Sequence, residues 1–177
     1  MKSLRMKVTM APLILGVLFA VPPLAAGQSA FEVTGSGTVE TNCLATLTQG
    51  CTVTSTGQMT GTPILPGDFV LRFDTGSPSS LNGYPAGPVG GPNQGLCLPA
   101  SFLGQLSETE GDSISFNHAG LVCEEAAPGS PYVYHGTFRL TGGTGRFAAA
   151  TGGGSVVGTF TRDTQAAFVY LRGAISY

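Results

Sequence analysis

Phe31-Glu-Val-Thr-Gly-Ser-Gly-Thr-Val-Glu40 sets the reading of the whole chain. Its odd positions are Phe31, Val33, Gly35, Gly37 and Val39; its even positions, Glu32, Thr34, Ser36, Thr38 and Glu40, are all polar. Alternation with a period of two puts one set of side chains on a buried face and the other in water, the pattern of a half-buried antiparallel strand. The same rule recurs downstream. Gly67–Asp74 sends Phe69, Leu71 and Phe73 inward against Asp68, Arg72 and Asp74 outward. Ser113–Val122 groups Ile114, Phe116, His118 and Val122, and Tyr132–Leu140 groups Tyr132, Tyr134, Phe138 and Leu140. Val156, Gly158 and Phe160 share a face, and Ala166–Tyr177 is apolar on both faces except at Arg172.

Turn chemistry separates these runs. Thr141-Gly-Gly-Thr-Gly145 is one tight connection and Arg162-Asp-Thr-Gln165 another, whose pairing sets Phe160 beside Phe168. Leu98–Leu106 fits either a short helical turn or a strand. Thr75–Gly95, rich in Gly, Pro, Ser and Asn, reads as a long surface loop. Seven or eight strands predict an antiparallel barrel or a β-sandwich. Glycines inside strands, at 35, 37 and 158, suit the bends of a closing barrel.

The N-terminus addresses the chain. Lys2, Arg5 and Lys7 precede an apolar run from Ala11 to Val21, followed by Pro22-Pro-Leu-Ala-Ala-Gly27. That order is a secretory leader over residues 1–27, too short in its apolar part to span a bilayer. The remainder, 28–177, suits a single domain that is secreted or periplasmic and off the membrane once cleaved. Three of the eight basic residues fall in the leader, which leaves five arginines against ten carboxylates, a net charge of −5 with no lysine. Nucleic-acid binding rests on clusters of Lys and Arg, and none is present.

Four cysteines remain in the exported part, and an even count in an oxidising compartment reads as disulfides. Cys43 and Cys51 flank a short polar loop. Cys97 and Cys123 are equidistant from Glu110, in the turn-like Glu108-Thr-Glu-Gly-Asp112, so a hairpin centred there sets them opposite each other. Cys43–Cys51 and Cys97–Cys123 are the pairings the spacing favours, contributing roughly 2.5 and 3.5 kcal/mol by the loop-entropy model. Zinc is the rival use, but His118 and His135 lie near neither pair, so no metal is expected. Gly143-Thr-Gly-Arg-Phe-Ala148 imitates a dinucleotide fingerprint with Asp163 as its acid. The fingerprint needs a crossover helix after the glycines, and Gly152-Gly-Gly154 ends any helix within a few residues.

The same segment carries a family signature. Phe138-Arg-Leu-Thr-Gly-Gly-Thr-Gly-Arg-Phe-Ala-Ala-Ala-Thr-Gly152, Gly158-Thr-Phe160 and Phe168-Val-Tyr-Leu-Arg-Gly-Ala-Ile-Ser-Tyr177 resemble the allene oxide cyclase and dirigent barrel superfamily, most of all its exported bacterial members. The resemblance covers about 45 C-terminal residues well, Cys97–Cys123 loosely and the chain before Gly95 weakly. It implies an eight-stranded antiparallel β-barrel with a central cavity, needing no cofactor and assembled as a homotrimer in plant members. The matched glycines, Gly142, Gly143 and Gly145, are architectural, so no catalytic residue carries over.

The candidate lumen polar residues are therefore read from parity alone. His118 lies on the Ile114/Phe116 face and would serve as an acid or base near neutral pH. Arg172, beside Phe168 and Tyr170, would hold a carboxylate or phenolate. Tyr134 and Tyr170 are candidate donors to an oxyanion. His135 and Arg139 belong to the outer wall. The expectation is a secreted barrel binding a small apolar or aromatic ligand. A cofactor-free cyclase or isomerase and a structural surface barrel with a filled lumen are the alternatives.

Overall fold

The computed structural model describes residues 27–42, 50–76, 97–124, 131–161 and 163–177. The leader at 1–27 is outside them apart from Gly27, as are Cys43 and all of the Gly/Pro-rich loop beyond Gly76. Eight strands follow one another: β1 (Ser29–Thr41), β2 (Thr52–Thr62), β3 (Gly67–Thr75), β4 (Cys97–Glu108), β5 (Ser113–Glu124), β6 (Tyr132–Gly143), β7 (Thr151–Phe160) and β8 (Ala166–Ser176). Each pairs antiparallel with the next, and β8 returns to β1, closing an up-and-down barrel without free edges. The sandwich alternative is thereby set aside.

The expected alternation is realised in the walls. Phe31, Val33 and Val39 of β1, and Phe69, Leu71 and Phe73 of β3, are buried, while their polar neighbours face water. Leu98–Leu106 belongs to β4, a strand and not a helical turn. In the β4–β5 hairpin Ser107 pairs with Ser113 and Cys97 with Cys123, and the two cysteines form a disulfide. Cys51 is also a disulfide cysteine; its expected partner Cys43 lies outside the described residues. A structural disulfide belongs to an oxidising, extracellular-type environment.

The last strand corrects two expectations. Its inward residues are Ala167, Val169, Leu171 and Ile175. Phe168 is 47% exposed, and Tyr170 and Arg172 share its outer face. Phe160 pairs with Ala167, so it does not meet Phe168, which stands opposite Thr159. The lumen decides this parity. Val169 pairs with Gly35, and a methyl at Gly35 would already come within 2.9 Å of the Val169 side chain.

The two ends of the barrel differ. At one, Ile64 from the β2–β3 connection and Phe147 from a 3-10 turn (Gly145–Phe147) are fully buried as plugs. That turn is all that follows Gly143 and Gly145, too short to serve as a dinucleotide helix. Gly145 itself has φ +55, and a side chain there would strike the Asp112 carboxylate. The Cys97–Cys123 disulfide and Cys51 sit at the opposite end, from which the β1–β2, β3–β4 and β5–β6 connections leave.

Candidate functional site

The lumen is built from aromatic side chains laid over small ones. A Cβ at Gly104 would come within 2.3 Å of the Phe116 ring, and one at Gly35 within 2.7 Å of Phe69. Missing side chains on one wall thus make room for large rings from the other. Phe116 packs edge-on against Phe138, whose ring lies 5.5 Å from that of Phe31. Towards the stapled end Phe73 stacks on Tyr134 and contacts Phe160, and Phe160 stacks on Tyr132 at 4.7 Å between centroids. One pocket within this packing, bordered by Ser55, Phe73, His118, Tyr134, Phe160 and Val169 among others, has a volume of about 20 Å³.

Of the four candidate polar residues, the barrel brings two together. β5 and β6 carry His118 and Tyr134 to the interior, where the Tyr134 hydroxyl lies 3.4 Å from His118 Nδ1, a long hydrogen bond. The His118 ring also packs on Phe116 at 5.3 Å between centroids. Burial pushes the His118 pKa down to about 3, so the imidazole is neutral near pH 7. Burial thus disfavours the imidazolium that an acid–base role would use. Tyr170 and Arg172 stand outside the barrel. The Tyr170 hydroxyl donates to Glu32 Oε1 at 2.8 Å, and that bond leads the causes that raise its pKa. Neither residue can serve as a lumen donor. His135 and Arg139 are exposed on the outer wall as expected.

One polar cluster escaped the sequence reading. Glu108, at the plugged end of β4, is buried and ion-paired with Arg146 of the 3-10 turn. Its Oε1 also accepts the Leu65 N–H at 2.7 Å, while Arg146 donates to the Pro63 carbonyl at 3.2 Å. Glu108 Oε2 is buried without a hydrogen-bond partner among the described residues. The pair ties three connections into one cap: β2–β3, the end of β4 and β6–β7. Only its separation of 38 residues, across two apparent turns, hid it. Among the described residues no group of three or more His, Cys, Asp or Glu is arranged to hold a metal ion.

The chain matches no family model, no curated protein and no solved structure.

Proposed function

We propose that this chain is an exported binding module that works from outside its barrel, with the lumen serving as a sealed core. The observation that carries this reading is how little space is left between the inward rings: the pocket bordered by His118, Tyr134 and Phe160 is small. About 20 Å³ holds roughly one water molecule, whereas small-molecule pockets run to about 300–1,000 Å³. The neutral, buried His118 points the same way, since acid–base chemistry in the lumen would need a group that titrates near the working pH. The leader-like residues 1–27 and the disulfide support export to a secreted or periplasmic location. The glycine-rich segment 138–152 supports placing the barrel with the allene oxide cyclase and dirigent type as an architectural relative.

Native mass spectrometry of the protein from its exported fraction tests the reading. The expected native mass is that of the bare cleaved chain, lighter than the reduced chain by two hydrogens per disulfide. Extra mass that departs on denaturation would overturn the sealed lumen. It would restore an internal apolar or aromatic ligand, and with it the cyclase alternative.

A further inference from the structure

We infer that the outer wall across β8, β1, β2 and β3 is a binding face for a neutral polysaccharide. The inference rests on the outside-working reading above and names its ligand class. The registers put Phe168, Ser36, Gln58 and Asp68 side by side in one cross-strand row, one residue from each strand. Three interstrand steps of about 4.8 Å make that row roughly 14 Å long, the reach of a short oligosaccharide. A second row beside it holds Tyr170, Thr34 and Thr60. The face includes a groove of about 580 Å³, bounded at the plugged end by Pro66 and Thr109.

The chemistry of the rows is that of a sugar's complement. A pyranose ring has an apolar C–H face and a rim of hydroxyls that both donate and accept. Phe168, 47% exposed, offers an apolar ring at one end of the row. Gln58 offers a donor and an acceptor on one amide, Ser36 a hydroxyl, and Asp68 a carboxylate that takes two donors. All three are exposed, and none of their side chains is engaged in a hydrogen bond among the described residues. Tyr170, on the same face of β8 as Phe168, is held by its bond to Glu32 and extends the aromatic surface.

Charge narrows the ligand. Neither row contains Lys or Arg; the nearest cation along β8, Arg172, stands opposite Glu32 in the next row, and Asp68 would repel a phosphate, sulfate or uronate. An apolar protein partner fits poorly, because hydroxyl and amide groups interrupt the aromatic surface and would be desolvated without partners.

The test is retention of the full exported chain on microcrystalline cellulose, chitin and starch granules, washed in 1 M NaCl. The expected result is retention on at least one of them. It should fall at least tenfold in Phe168→Ala and clearly in Gln58→Ala and Asp68→Asn. It should be unchanged in Leu103→Ala, an exposed site elsewhere on the wall. Far-UV circular dichroism establishes that each variant is folded. No retention on any of the three, equal retention in Gln58→Ala and Asp68→Asn, or loss in salt would overturn the inference. The two readings fail separately. A ligand mass in the native spectrum with retention intact sinks the sealed lumen alone. A bare mass without retention sinks the polysaccharide face alone.

Discussion

Acid should weaken this barrel through one side chain. In the unfolded chain His118 titrates near its ordinary 6.5, and in the folded barrel burial holds it at about 3. Between those values the unfolded state binds a proton that the folded state refuses. Stability is therefore intact above pH 6.5, falls as pH drops below it, and stops falling near pH 3. At about 1.4 kcal/mol per pKa unit, the full loss is roughly 5 kcal/mol, and about 2 kcal/mol has gone by pH 5. Against a total of about 5–15 kcal/mol, that is a large share. Tyr134 is a titratable group in contact with the imidazole, and phenols carry no charge in acid. The perturbation is His118→Phe, which keeps a ring against Phe116 and Tyr134. The assay is urea unfolding at pH 7, 6, 5 and 4 with disulfides intact, followed by far-UV circular dichroism. The native chain should lose about 2 kcal/mol more than the variant between pH 7 and 5. Carboxylates common to both proteins cancel in that difference. Parallel pH profiles would refute the reasoning, because they would mean that His118 is protonated in the folded state as readily as in the unfolded one.

Two further substitutions probe the frame. Arg146→Ala leaves the buried Glu108 carboxylate without its cation and should lower stability by about 3 kcal/mol, with much of the loss restored when Glu108→Gln is added; an unchanged urea midpoint would show that the cap does not depend on the pair. Gly136→Ala puts a methyl 2.2 Å from the Tyr134 hydroxyl and 2.4 Å from the Ala119 carbonyl, and should cost about 1–3 kcal/mol. Gly158→Ala, whose methyl would meet nothing nearer than 3.4 Å, should be mild by comparison in thermal melts.

The strands that were legible were those whose inward set is large and whose outward set is polar. β1, β3, β5 and β6 each carry several large inward residues that alternate with mostly polar ones, and the symmetry of Cys97 and Cys123 about Glu110 set the β4–β5 register. β2 was not singled out because its inward positions include Ser55 and Gly57 beside Val53 and Met59, which dilutes the alternation. β8 was misread for a different reason. Phe168 and Tyr170 are larger than the Ala167 and Val169 they alternate with, so size argued for the wrong face. The true constraint was across the wall, where Gly35 and the Phe69 ring leave room only for a small neighbour. Half of the candidate site was therefore legible: His118 and Tyr134 are inside, and Tyr170 and Arg172 are not. Whether the lumen is filled stood only as one alternative in the sequence, because it depends on which ring lies over which glycine.

An eight-stranded barrel is a container or a core according to the side chains it turns inward. Here rings from β3, β5, β6 and β7 meet across the axis, and Ile64 and Phe147 close one end, so the interior acts as a core. That has a consequence for how binding could vary. Along each strand inward and outward residues alternate, so β1 sends Val33 and Val39 to the core and Thr34, Ser36 and Thr38 to the wall. A change at Ser36, Gln58 or Asp68 alters the wall's chemistry without touching core packing, and the closed hydrogen-bond ladder holds the rows in register whatever they carry. A ligand-sized lumen would have coupled specificity to stability, because every lining residue would also be a core residue. On the proposed reading a sealed barrel would separate the two, leaving a hydroxyl-rich surface whose chemistry could change while the fold stays as it is.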